Sequence, residues 1–325
     1  MISVALITSS LILAALLYFA DTTLLLESLK QFDLKVIPLI LLIFFVLFVI
    51  VGLRLFISLR LSGFHNFIRS FDAGILHITL LNFLPVRLGD ILYPFILKSS
   101  LQVITARSIA NLIIIRIYDY VSVIIILLFS GWIYFVNTSV KLDFQYLLLA
   151  GIPVIMAVIL AIRLFIILAL RVTSKKPIHL FSKNVHEFIV ELNDGFTILG
   201  IHQHLLLLIM TFLRWFFASI LFLMIFKGTG LTINFNEAVL VTTGVNLSVI
   251  LPIQTIGGFG LSETVMAYFL GIFGNPFGTA IAIAISTRII WLLGLFSLSL
   301  LWILSRTKVL KFVDIAESHN SSTIQ

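Results

Sequence analysis

Long and almost uninterrupted apolar runs constrain this sequence more strongly than any other feature. Residues 37–53 and 121–135 are nearly all apolar, and about 20 such residues cross a bilayer as an α-helix. Over the whole chain, 61% of the residues are hydrophobic and 11% are charged, whereas a soluble domain carries roughly 25% charged residues. Transmembrane β-strands alternate apolar and polar residues, and these runs do not. The sequence therefore predicts an all-α integral membrane protein.

Six apolar segments are long enough to cross the membrane completely. They are residues 4–20, 36–53, 109–135, 146–170, 204–226 and 277–304. Lys and Arg accumulate in cytoplasmic loops, so the loop with Arg54, Arg60 and Arg69 and the loop at 171–183 are predicted to be cytoplasmic. The same rule places both termini in the cytoplasm of a multi-pass cell-membrane protein. These loops also account for the net charge of +7, so no nucleic-acid partner is expected.

Two further apolar segments, residues 70–100 and 237–273, are interrupted by Pro and Gly followed by a carboxylate. Pro and Gly both disfavour the interior of a helix, and hydrocarbon tolerates broken backbone only where protein or a wet cavity covers it. A single crossing at 70–100 would place the basic loop at 171–183 outside. We therefore predict that both segments are re-entrant helical hairpins.

The hairpins divide the chain into two similar units. Residues 1–135 and 136–313 each contain three predicted transmembrane helices and one hairpin, and an odd number of crossings inverts the second unit relative to the first. Asp90 precedes Arg116 by 26 residues, and Glu263 precedes Arg288 by 25. The sequence thus predicts two inverted repeats. An amphipathic interfacial helix is expected at 179–199, and a disordered cytoplasmic tail at 314–325.

Charged residues inside the apolar sequence are the candidate functional residues, because each costs roughly 2.5–3.5 kcal/mol at the centre of a lipid-facing helix. They are Arg87, Asp90, Arg116, Asp119, Glu263 and Arg288. Arg116 and Asp119 are spaced i,i+3 and share a helix face, so they can pair. Two interpretations stay open: the charges bind a ligand, or they only fasten the hairpins to the helices.

The glycines Gly257, Gly258 and Gly260 precede a predicted helix start. Exposed backbone N–H groups and the positive end of a helix suit a phosphate or carboxylate head group. A tight turn with close helix packing explains the same glycines equally well.

Other chemistry has little support in the sequence. The chain has no cysteine, which excludes disulfides and thiol catalysis. The seven histidines show no metal-ligand spacing, so neither a metal nor another cofactor is expected. No G-x-S-x-G hydrolase motif is present.

The two hairpin motifs and the helices after them resemble one known family. The residues that carry the resemblance are Leu84, Pro85, Arg87, Gly89, Asp90, Arg116, Asp119, Pro252, Gly257, Gly258, Gly260, Glu263 and Arg288. In this order they resemble the lysylphosphatidylglycerol synthase transmembrane family, also described as flippase-like. The soluble aminoacyltransferase domain of those synthases does not follow before Gln325, so we expect no lipid aminoacylation from this chain alone.

The charged hairpins and the resemblance together suggest a transporter that moves an anionic, phosphate-containing lipid between leaflets. The ligand would be a membrane phospholipid or a polyprenyl-phosphate lipid. Arg87, Arg116 and Arg288 would neutralise its head group. Asp90, Asp119 and Glu263 would hold these arginines in place, or would exchange protons to couple transport.

Two alternatives remain. The chain could be a membrane-embedded enzyme, or an accessory subunit beside a separate lipid-modifying enzyme, in lipid or polyprenyl-linked glycosylation. Asp90 or Glu263 would then be the base. It could also be a scaffold in which the charges only hold helices together.

Overall fold

The fold consists of helices throughout the part of the chain that the computed structural model describes, which comprises residues 14–60, 66–84, 88–137, 190, 194, 200–248 and 259–321. Residues 14–19 are helical. The helices that follow are α1 Thr22–Lys30, α2 Ile37–Arg60, α3 Phe67–Phe83, α4 Leu88–Leu101, α5 Thr105–Asn137, α6 Ile201–Gly228, α7 Phe235–Ser248, α8 Leu261–Ile272 and α9 Phe277–Ser321. A short 3-10 turn, Leu34–Val36, precedes α2.

Four of these helices contain stretches long and apolar enough to cross a membrane. The stretches are Leu34–Leu59, Thr105–Tyr134, Ile201–Gly228 and Phe277–Arg306. They match four of the six predicted crossings. The segment 146–170 lies outside the described residues, as do the interfacial helix predicted at 179–199 and residues 4–13 of the first segment. The described helices establish a multi-pass α-helical membrane protein.

Each predicted hairpin segment contains two shorter helices that pack against each other, α3 with α4 and α7 with α8. The helices α4, α7 and α8 have 14, 14 and 12 residues, too few to cross a bilayer. Leu84, before Pro85, leaves the helical conformation (φ −87°, ψ 140°), because proline disfavours helix in the residue before it. Helices α3 and α7 therefore end before the predicted breaks, whereas Pro85 and Pro252 themselves lie outside the described residues.

Gly89 allows the close approach of α4 to α3. A Cβ at this position would lie 2.4 Å from the backbone N and Cα of Leu81, far inside van der Waals contact. At the second break, Gly260 has a φ of +113°, which side-chain-bearing residues rarely adopt.

The described elements repeat in order: a long helix, two short helices and a long helix, first as α2 to α5 and then as α6 to α9. The first short helix of each pair is hydrogen-bonded to the last long helix of the other set. Trp302 Nε1 of α9 donates to Asp72 Oδ1 of α3 at 2.8 Å. Asn236 Nδ2 of α7 donates to the backbone oxygen of Ser130 in α5 at 3.0 Å.

The apolar core lies between the long helices. A cluster of buried side chains joins α2 to α6 and α9; it includes Phe44, Phe48, Leu221, Ile225 and Leu295. A second cluster packs α2 against the first pair of short helices through Leu55, Tyr93 and Leu97. These contacts fix the positions from which the charged side chains extend.

Two local expectations differ from the structure. Helix α2 continues past residue 53 to Arg60, so Arg54 is a buried helical residue and its assignment to a cytoplasmic loop is wrong. The connection between the first two predicted crossings, residues 21–35, is not a simple loop: it contains α1, which packs on α9 through a Ser28–Ser286 hydrogen bond of 2.7 Å. Helix α9 continues to Ser321, and the disorder predicted for the tail at 314–325 stays a prediction. The boundaries of the two units stay predictions.

Candidate functional site

Asp119 of α5 lies at the centre of a group of buried and partly buried arginines. Its Oδ1 atom accepts hydrogen bonds from Arg214 Nη1 of α6 at 3.0 Å and contacts Arg54 Nη2 of α2 at 2.8 Å. Its Oδ2 atom is 3.7 Å from Arg116 Nη1, one helical turn away. We call these four residues the Asp119 cluster. One carboxylate thus contacts three arginines, which belong to three long helices.

Asp90 fastens the first pair of short helices to this cluster. It lies in the first turn of α4, where its charge is favourable for the helix dipole. Its Oδ1 atom accepts a hydrogen bond from Arg116 Nη2 at 2.5 Å and is 3.0 Å from His77 Nε2 of α3. Tyr93 donates a further hydrogen bond, of 2.6 Å, to Asn111 Oδ1 of α5.

Glu263 has the same place in the second pair of short helices. It lies in the first turn of α8 and is fully buried. Its carboxylate accepts hydrogen bonds from the Gly260 N–H at 2.5 Å and from the Ser262 hydroxyl at 2.9 Å. Its Oε1 atom is 3.8 Å from Arg288 Nε of α9. In both halves, the carboxylate that begins the second short helix contacts an arginine on the following long helix.

A cavity of about 130 Å³ lies beside these ion pairs. This volume is roughly ten times the ~10–15 Å³ that one water molecule requires. Its charged lining residues are Arg116, Asp119, Arg214 and Arg288. Its neutral polar lining includes Asn82, Tyr120, Trp215, Asn246, Ser262 and Trp291. Apolar side chains complete the wall, among them Phe44, Phe48, Val51, Leu221 and Phe222. We call this the main cavity.

Both pairs of short helices reach the main cavity near their breaks. Asn82 is close to the end of α3, Asn246 is close to the end of α7, and Ser262 is in the first turn of α8. A smaller cavity of about 50 Å³ has Arg54, His77 and Tyr93 in its wall and shares Arg116, Asp119 and Arg214 with the main cavity. The Asp119 cluster therefore separates two adjoining spaces.

The buried charges do not balance within the described residues. Among the described residues, three arginines (Arg54, Arg116 and Arg214) contact two carboxylates (Asp90 and Asp119). The Nε atoms of Arg54 and Arg116 have no hydrogen-bond partner in the described part of the chain. Burying a charge without full compensation is costly, so this region favours an additional anion.

The structure brings together most of the residues that the sequence singles out. Asp90, Arg116 and Asp119 form one network, which includes the predicted i,i+3 contact. Glu263 contacts Arg288, which lines the main cavity with Arg116 and Asp119. Gly260 is the N-cap of α8. The remaining predicted site residues, Arg87, Gly257 and Gly258, lie outside the described residues.

Sequence reasoning missed Arg54, Arg214 and His77 as site residues. Arg214 is the one charged residue in the apolar run 204–226, so the cost of a charge at membrane depth was a usable signal. Arg54 directly follows the predicted helix end at 53, so the apolar pattern places it in a loop. For His77, no local pattern indicates its contact with Asp90.

The long apolar helices and the arginine-rich cavity between them define the class: a multi-pass helical membrane protein with a buried, ion-paired polar site. Residues 1–299 match the lysylphosphatidylglycerol synthase TM region. The chain belongs to this family, as the hairpin motifs indicate.

One relative among known proteins is also similar. The chain is 24% identical over 206 residues to a UPF0104 membrane protein of Methanocaldococcus jannaschii, and the aligned region covers 63% of this chain and 85% of that protein. No solved structure matches the chain.

Proposed function

We propose that the protein is a flippase-like transporter that moves an anionic, phosphate-containing lipid between the two leaflets of the cell membrane. The observation that carries this proposal is the composition of the main cavity. Among the described residues, three arginines line it and Asp119 is the one carboxylate in its wall. The cavity lies among helices whose outer surfaces are apolar, so a membrane lipid is the ligand most readily available to it.

Guanidinium groups favour a phosphate head group in particular. Arginine presents planar N–H donors that match phosphate oxygens in pairs. A bound phosphate would supply the anion that the surplus of arginines favours. The apolar wall with Phe44, Phe48 and Leu221 would accept the first part of the acyl or prenyl chains.

We propose further that the two halves are inverted repeats with re-entrant hairpins, and that both termini are cytoplasmic. The repeated order of helices supports this, as does the same carboxylate–arginine contact in each half. Ser130 follows Arg116 by 14 residues and Trp302 follows Arg288 by 14, and both bind the first short helix of the other set. Hairpins that enter from opposite faces would give alternating access to one site.

The experiment is a leaflet-exchange assay in liposomes that contain the purified protein and a fluorescent phospholipid with a phosphate head group. We expect faster exchange than in protein-free liposomes. Arg214→Gln should reduce the protein-dependent rate about tenfold or more, because a charged contact to the head group is lost. Arg69→Gln removes an arginine from an exposed position of α3 and should leave the rate unchanged.

Two results would overturn the proposal. One is exchange no faster than in protein-free liposomes. The other is an Arg214→Gln variant that transports as fast as Arg69→Gln, although its unfolding profile shows that it is correctly folded.

A further inference from the structure

Neutral hydrogen-bonding groups from both pairs of short helices line the main cavity alongside the arginines. Asn82 Nδ2 donates to the Ile78 oxygen, and Asn246 Nδ2 donates to the Thr242 oxygen, both at 2.7 Å. Each asparagine thus uses one N–H on the helix carbonyl four residues before it. An amide in this arrangement keeps a second N–H and its carbonyl oxygen for other partners. The same side-chain hydrogen bond is therefore present near the C-terminal ends of both α3 and α7.

Trp215 adds a hydrogen-bond donor that lacks an acceptor. Its side chain lines the main cavity, the residue is 5% exposed, and its Nε1 has no hydrogen-bond partner among the described residues. The Arg214 guanidinium carbon is 4.3 Å from the centre of the indole ring. A buried N–H without a partner costs free energy, so a ligand that offers a neutral oxygen at this position would be favoured.

The carboxylates near the main cavity are already engaged by cations. Asp119 is shared by three arginines. Glu263 is fully buried, and its oxygens accept from Gly260 and Ser262. An ammonium group in the cavity would therefore lie near three guanidinium groups. The nearby carboxylates could not readily compensate, because arginines or the start of α8 already contact them. Like charges at close range in a partly dry site repel strongly.

From these three observations, we infer that the site selects a phosphodiester whose head group bears hydroxyls and no amine, such as a glycerol or sugar head group. Hydroxyls both donate and accept, so they match the asparagine amides and the Trp215 N–H. The inference rests on the proposed function, because it takes a membrane lipid as the ligand. It adds which head groups the site accepts.

The first test measures exchange of three lipids with identical labelled acyl chains: phosphatidylglycerol, phosphatidylethanolamine and phosphatidic acid. We expect the glycerol head group to exchange about tenfold faster than the ethanolamine head group. Trp215→Phe and Asn246→Leu should each slow phosphatidylglycerol about three- to tenfold, the value of one hydrogen bond. Both variants should slow phosphatidic acid, which has no hydroxyl-bearing substituent, less than phosphatidylglycerol, so the ratio of the two rates should fall.

Trp132→Phe is the matched control. It removes the same N–H from a tryptophan that is 58% exposed and does not line either cavity. The ratio of phosphatidylglycerol to phosphatidic acid exchange should stay at the wild-type value. Equal exchange rates for the glycerol and ethanolamine lipids would overturn the inference. A ratio that falls in Trp132→Phe as much as in Trp215→Phe would also overturn it.

A second test separates this inference from the transport proposal. The purified protein is incubated in detergent with equal amounts of the three lipids, and retained lipid is measured by native mass spectrometry. Preferential retention of phosphatidylglycerol that is lost in Asn246→Leu supports the inference, whether or not the lipid is transported. If the protein retains phosphatidylglycerol but does not accelerate its exchange, only the transport proposal is refuted. Equal retention of the glycerol and ethanolamine lipids overturns the inference even if exchange is fast.

Discussion

Asp119 is the residue on which the arginines of its cluster depend most. It is 4% exposed, and Arg54 and Arg214 both contact one of its oxygens. Removing one partner of a buried ion pair leaves an uncompensated charge, which costs about 3–5 kcal/mol. We therefore expect Asp119→Asn to lower the free energy of unfolding in detergent micelles by about that amount.

The control for this prediction is Asp72→Asn. Asp72 also contacts an arginine, Arg306, but the two side chains are 36% and 33% exposed. Solvent screens such a pair, so its loss should cost at most ~1 kcal/mol. If the two variants unfold with the same free energy, the Asp119 cluster does not have the role assigned to it here.

At the scale of the helices, the first pair of short helices depends on the absence of a side chain at Gly89. A Cβ there would lie 2.4 Å from the Leu81 backbone, and overpacking of this kind costs roughly 1–3 kcal/mol. We expect Gly89→Ala to lower the unfolding midpoint. Gly271→Ala is the comparison, because a Cβ at Gly271 of α8 meets nothing within 4 Å. Equal midpoints for the two variants would contradict the close approach of α4 to α3.

The sequence predicts these short helices well because their signals are local. Proline, glycine and a following carboxylate lie within a few residues of each other, and the Asp90–Arg116 and Glu263–Arg288 spacings repeat. The rest of the site is not local. Arg214 reaches Asp119 across 95 residues, and no periodicity specifies which face of one long helix packs on another. Arg54 was missed because the apolar pattern ends one residue before it, while the helix continues.

At the scale of the whole molecule, the proposed inversion predicts that the two hairpins begin on opposite faces of the membrane. The chain contains no cysteine, so single cysteines can report this directly. Arg69 and Phe235, at the starts of α3 and α7, are both exposed. A membrane-impermeant maleimide should label Phe235→Cys in intact cells, and Arg69→Cys only after permeabilisation. Labelling of both variants from the same face would refute the inverted arrangement.

The central claim is that a lipid enters the main cavity and does not only coat the outer surface of the helices. A phosphatidylglycerol with a photoreactive group on its acyl chain, close to the head group, can test this in liposomes. Adjacent residues of α2 provide the comparison, because Phe44 and Phe48 line the cavity whereas Phe45 is 49% exposed.

The decisive measurement is therefore the set of cross-linked residues, identified by mass spectrometry. We predict cross-links to Phe44, Phe48 or Leu221 that decrease in the Arg214→Gln variant, together with background labelling of Phe45. Cross-links confined to outward-facing side chains such as Phe45, with the same yield in Arg214→Gln, would contradict the account.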